Sequence, residues 1–191
     1  MAVILSERID RIRLAFRVDS ISYEIRDIVS RARKVQSSGK KIHWLNIGDP
    51  NQFGFKPPEN ITNAIIEALH DPKYSAYCPS EGDPDLRAAI AKIEGIDPDY
   101  VTIHSGLSEG IDFLFQALVN PGENLLLPSP SYPLYNSKLK VNGGTDNFYQ
   151  TDDEFVPIED DIRKKINGKT KAIVIINPNN PTGAVYSRSI L

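Results

Sequence analysis

The chain has a single cysteine, Cys78, in 191 residues. It can therefore form neither an internal disulfide nor a cysteine-rich metal cage, and the cytoplasm is the expected compartment. Charge of one sign is also lacking: 22 basic and 25 acidic side chains leave −3, so no general pull toward nucleic acid or an anionic membrane is expected. Long apolar runs are missing too. The opening Met1–Leu5 is soon interrupted by Glu7, Arg8, Asp10 and Arg11, too short a run for a secretory core or a membrane span. His43, His70 and His104 are scattered, and no metal is assigned. The sequence contains neither a G-x-G-x-x-G turn nor a P-loop, which removes the usual signatures of dinucleotides and nucleoside triphosphates. Internal repeats and low-complexity tracts are absent as well. A globular protein acting on a small molecule is the class that survives these exclusions.

What is present reads as α/β. Ile21, Ile25, Ile28, Ala32 and Val35 recur at helical spacing, which predicts a helix with one buried stripe ending near Gly39. A short strand is expected over 42–47, then a turn at Gly48–Asn51. Pro57-Pro58 opens a second helix with Ile61, Ala64, Ile65, Ala68 and Leu69 on one side. Asp83-Pro84 supplies an N-cap and a first helical residue for a third helix up to Gly95. From Val101 the order becomes strand (101–104), turn (Ser105–Gly110), helix (Ile111, Leu114, Phe115, Leu118) and strand (NLLLP). That is a βαβ pattern with strands apolar enough for a covered parallel sheet. Helices over 132–141 and 158–166, an edge strand over 143–150 and a fully buried strand over 172–176 complete the reading.

Three loops carry residues suited to a ligand. Ser105–Gly110 (SGLSEG) opens a helix, where unpaired N–H groups and the helix dipole favour a phosphate, although such turns also serve packing alone. Ser129–Tyr135 (SPSYPLY) follows a strand and offers Tyr132 as a ring that could stack on a planar heterocycle or simply pack. Asn177–Gly183 (NPNNPTG) follows the last strand, and its prolines hold Asn177 and Asn180 out of the helical region. Asn180 thereby becomes a fixed donor and acceptor at the carboxyl edge of a sheet, where open α/β folds bind ligands.

These segments, with Trp44–Asn51 (WLNIGDPN) and Ala76–Ala91 (AYCPSEGDPDLRAAIA), stand in the order found in class I and II aminotransferases. The resemblance covers about residues 21–187 and looks nearest to the alanine aminotransferases. It implies the fold type I architecture, an incomplete three-layer α/β/α large domain preceded by an arm. Residues 1–47 would be the arm and small-domain segment, and 48–191 the first part of the large domain. The implied cofactor is pyridoxal 5'-phosphate. Leu107 and Ser108 would bind its phosphate, Tyr132 would stack on its ring, and Asn180 would hydrogen-bond its phenolic oxygen. Tyr77 would reach the phosphate of a neighbouring subunit, implying a homodimer. Gly48 would touch the substrate carboxylate, and Tyr23 would line the entrance. Pro130 and Pro181 fall where the family has cis peptide bonds.

The implied activity is transfer of an amino group between an amino acid and a 2-oxo acid, alanine with 2-oxoglutarate as first choice. That chemistry needs a Schiff-base lysine. None of the twelve lysines stands in a matching context, so the catalytic lysine is expected beyond Leu191 and the sequence is read as incomplete. Without the missing strands, apolar strand edges and faces would stay unpaired. The alternatives left open are another fold type I enzyme, such as a carbon–sulfur lyase, and a catalytically dead binding or assembly module.

Overall fold

The computed structural model describes Ala15, Arg17, Val18 and residues 24–45 and 48–191. Tyr23 lies outside these residues. The described chain forms two compact units, one of Leu107–Leu191 with the described residues up to Arg31, the other of Ala32–Gly106.

The helices fall where local signals put them. They are α1 (Glu24–Ser37), α2 (Glu59–His70) and α3 (Pro84–Glu94). The ends of α3 are fixed chemically: Asp83 Oδ1 accepts the N–H groups of Asp85 and Leu86, both at 3.0 Å, and Gly95 closes the helix at φ 69°. Arg87 then reaches from α3 to the carbonyls of Val101 (Nε, 2.8 Å) and Pro98 (Nη2, 2.7 Å), anchoring the segment that follows.

Two expectations about this region fail. The stripe expected to be buried on α1 is not, with Ile28 59% and Val35 40% exposed, and the apolar side of α2 is exposed as well. Helical spacing marks which face is apolar, and only a neighbouring element can cover it. Nor do residues 42–45 or Val101–His104 form strands. Both have the composition, but a strand exists only with a partner ladder, and the described residues of Ala32–Gly106 hold no strand to pair with.

The other unit is a parallel sheet with helices around it. After α4 (Leu107–Leu118) come β1 (Asn124–Ser129), α5 (Pro133–Val141), β2 (Thr145–Gln150), α6 (Glu159–Lys165) and β3 (Thr170–Ile173). The strand order is β2-β1-β3, all parallel. Leu125 and Leu127 of β1 pack against Ile111, Phe115 and Val119 from α4 and its end and Leu139 of α5. Leu126 points to the opposite face and is also completely buried. Each such leucine contributes about 1.5–3 kcal/mol through burial.

Asn124, 5% exposed, clamps the amino end of the sheet. Its Oδ1 accepts from Asn147 Nδ2 of β2 at 2.9 Å and from Thr170 Oγ1 of β3 at 3.0 Å. At the other end, Tyr149 Oη donates to Val174 O at 2.9 Å, and burial pushes this phenol well above the ordinary tyrosine range.

The last strand departs from expectation, ending at Ile173 and lying only half covered. Ile173 is 39% and Ile175 50% exposed, because β3 is an edge of this sheet rather than an inner strand.

One ion pair ties α4 to α5: Lys138 Nζ lies 2.9 Å from Asp112 Oδ2, and Asn142 Nδ2 donates to Asp112 Oδ1 at 3.3 Å. The Lys138 contact holds the Asp112 carboxyl below its usual pKa. A carboxylate depressed in the folded state stabilises above its unfolded pKa and loses that contribution as pH falls through the folded value. Stability should therefore decline below about pH 4, and Asp112→Asn should flatten that decline. Denaturant titration of both proteins between neutral and acid pH checks this.

Candidate functional site

Because β1, β2 and β3 run parallel, the loops after them share one edge. Tyr132 caps the start of α5 just past β1, and Asn177–Gly183 follows β3. The amino end of α4 belongs to that same edge. Its far end is fixed at the opposite edge, since Val119 lies against Gly144, immediately before β2. A twelve-residue helix is about 18 Å long, close to the length of a six-residue strand, about 20 Å. Leu107 and Ser108 are thus carried to the carboxyl edge, where both are exposed. The first N–H groups of a helix have no acceptor within it.

Tyr132 is held by aromatic neighbours. Its ring meets Tyr135 edge-on, with centroids 6.3 Å apart, and Tyr135 meets Phe115 of α4 at 6.4 Å. Aromatic pairs at such distances contribute about 0.5–1.5 kcal/mol beyond their burial. The hydroxyl of Ser131, beside Tyr132, is buried without a hydrogen-bond partner among the described residues.

The asparagine loop divides its labour. Asn177 Oδ1 accepts the Tyr186 N–H at 2.9 Å, and Asn179, 5% exposed, is bonded into the loop. Asn180 is exposed, and none of its side-chain atoms is bonded among the described residues. Sequence reading singled out Asn177 and Asn180 and missed Asn179. The signal available was the Asn-x-x-Thr spacing of a side chain that bonds its own backbone. The peptides before Pro130 and Pro181 are cis, as the resemblance implied, and so is the one before Pro178.

Gly48 and Tyr77 belong to the Ala32–Gly106 unit. Gly48 is exposed at an open depression of 430 Å³ lined also by Asp49, Pro50, Phe53 and Phe55. Asp49 caps the short turn Pro50–Phe53, accepting the Asn51 N–H at 3.2 Å. Tyr77 projects fully into solvent.

Four lysines of the sheet unit, Lys138, Lys140, Lys165 and Lys171, are engaged in ion pairs. They pair with Asp112, Asp146, Asp161 and Glu123 at 2.8–3.0 Å.

Residues 40–191 match the family model for aminotransferase class I and II. The chain belongs to this family. Among relatives, glutamate-pyruvate aminotransferase AlaA of Haemophilus influenzae is 41% identical over 92% of this chain and 45% of its own length. Alanine aminotransferase of Mycobacterium tuberculosis is 40% identical over 92% of this chain and 43% of its own. The solved alanine aminotransferase of Pyrococcus furiosus superposes with a TM-score of 0.84 and 43% identity, over 93% of this chain and 47% of that one. The chain thus spans less than half the length of the relatives it matches. Its incomplete parallel sheet is a part of the fold type I architecture that these aminotransferases share.

Proposed function

We propose that this chain forms the first part of a pyridoxal-phosphate-dependent aminotransferase that moves an amino group between an alanine-like amino acid and a 2-oxo acid. The names of the relatives support the alanine-type substrate, and family membership supports the cofactor. One observation carries the assignment to this chain's own residues: an exposed helix start, a ring held by other rings and an outward-pointing asparagine share one sheet edge.

The donor set fits a phosphorylated pyridine. Leu107 and Ser108 offer first-turn N–H groups and a hydroxyl to a dianionic phosphate, which the helix dipole also favours. Tyr132 presents a face to a flat heterocycle and sheds water from it. Asn180 Nδ2 can donate to an anionic ring oxygen, and the orphaned Ser131 hydroxyl lies on the same loop as Tyr132. Bound pyridoxal phosphate supplies the electron sink that makes a substrate's α-proton labile. Gly48 would hold the substrate carboxylate through its backbone, Tyr23 would line the entrance, and the exposed Tyr77 would reach the phosphate of a second subunit in a homodimer. Residues 48–191 are read as part of the cofactor domain, 1–47 as arm and small-domain segment, and the cytoplasm as the location. Among the described residues no helix is long and apolar enough to cross a membrane.

The attachment lysine is assigned outside residues 1–191. With pyridoxal phosphate, the full-length protein should show a visible absorbance band that survives dialysis and is bleached by alanine. Borohydride reduction and peptide mapping should then place the cofactor on a lysine beyond Leu191. Attachment to Lys138 or any other lysine of this chain, or failure to transfer an amino group from alanine to 2-oxoglutarate, would overturn the reading.

A further inference from the structure

We infer that Asn179, acting through Thr182, is the positioning residue for Asn180; the inference rests on the function proposed above. Five hydrogen bonds close residues 179–184 into a ring around the Asn179 side chain. Its Oδ1 accepts from Thr182 Oγ1 at 2.9 Å and from the Thr182 N–H at 3.2 Å. Its own N–H donates to Ala184 O and its carbonyl accepts from Gly183 N, both at 2.8 Å. The Thr182 hydroxyl in turn accepts the Ala184 N–H at 3.2 Å. Asn177 is committed outside the ring, to Tyr186 N.

Three chemically identical side chains thus have three different duties. The Asn179 amide is buried at 5% exposure and turned inward, while the next residue, Asn180, is exposed. The inward bonds of Asn179 fix the loop backbone on which Asn180 stands, and so set where the Asn180 amide points. A buried acceptor that serves two donors is costly to remove, because both donors are left unpaired. The effect would pass to Asn180 as a change in direction rather than as a lost contact with ligand. A small misplacement of a hydrogen-bond donor is enough to weaken a bond whose strength depends on angle.

The test uses the full-length enzyme carrying Asn179→Ala, Thr182→Val or Thr182→Ser, with Val119→Ala as a control. Val119 is 6% exposed and packs at the opposite edge of the sheet, so its truncation destabilises without touching the loop. Asn179→Ala and Thr182→Val should weaken pyridoxal-phosphate binding about tenfold, about 1.4 kcal/mol. They should also shift the cofactor absorbance maximum and lower kcat with little change in KM. Thr182→Ser keeps the hydroxyl and adds no charge, and it should restore affinity and spectrum. Val119→Ala should lower the thermal midpoint and leave the spectrum and affinity alone. If Asn179→Ala behaves like Val119→Ala, losing midpoint with an unchanged band and affinity, the residue is merely structural and the inference is overturned. A wild-type enzyme with no cofactor band overturns the proposed function itself, and this assignment with it.

Discussion

A Gly82→Ala protein should lose several kcal/mol of stability, more than any other glycine-to-alanine change in the Ala32–Gly106 unit. Gly82 sits at φ +107°, a conformation that L side chains rarely adopt, and holding alanine there costs about 1–3 kcal/mol. Space is lacking as well. An added Cβ would stand 2.4 Å from Ile103 Cγ1 and 2.5 Å from Ile103 Cβ. The second of these atoms is fixed to the backbone, so a rotamer change cannot relieve the overlap, and overpacking adds about 1–3 kcal/mol. The backbone cannot easily give either, since Ile103 N–H is bonded to Glu81 O at 2.9 Å and Gly82 N–H to Pro79 O at 2.9 Å.

Gly95→Ala provides the comparison. Gly95 also has positive φ, +69°, but nothing lies within 4 Å of its added Cβ, so it should show the conformational penalty alone, about 1–2 kcal/mol. Urea unfolding of the two variants separates strain from overlap, and equal losses would refute the overlap argument.

How much of this could be read beforehand depends on the range over which each feature is determined. The α3 helix was legible to its ends because its stop signals are adjacent residues: Asp83 bonds to amides two and three positions on, and Gly95 terminates it. The same local logic located α4, α5 and the turns between them. Residues 42–45 and 101–104 looked like strands for the equally local reason of composition, yet pairing is not local, and neither segment has a neighbour to pair with among the described residues of its unit. The last strand was read as fully buried from its apolar run, whereas its place at the sheet edge leaves Ile173 and Ile175 exposed. The Asn124 clamp was invisible, since it joins residues 23 and 46 positions apart. Within the candidate site, Leu107, Ser108, Tyr132 and Asn180 could be named from motifs. That Asn179 is the one turned inward was not legible, because the three asparagines share one chemistry and only ring closure tells them apart. The Phe115–Tyr135–Tyr132 ring contacts likewise required the packing of α4 beside α5.

Replacing Asn180 itself should give the opposite profile to Gly82→Ala, with activity lost and stability kept. The side chain is exposed and bonded to nothing among the described residues, so truncation to alanine should change unfolding free energy by no more than about 0.5 kcal/mol. Under the proposed function its amide donates to an oxygen carrying negative charge, and hydrogen bonds to charged groups contribute about 1.5–3 kcal/mol, about a ten- to hundredfold effect on kcat/KM. Asn180→Asp should be worse than Asn180→Ala, although it is nearly isosteric. A carboxylate has no donor to offer and would set a second negative charge against the first. Steady-state kinetics on the full-length enzyme, paired with thermal unfolding, decides the matter. If Asn180→Asp outperformed Asn180→Ala, then Asn180 does not face an anionic oxygen. Loss of stability in step with loss of activity would instead return Asn180 to the role that the structure gives Asn179.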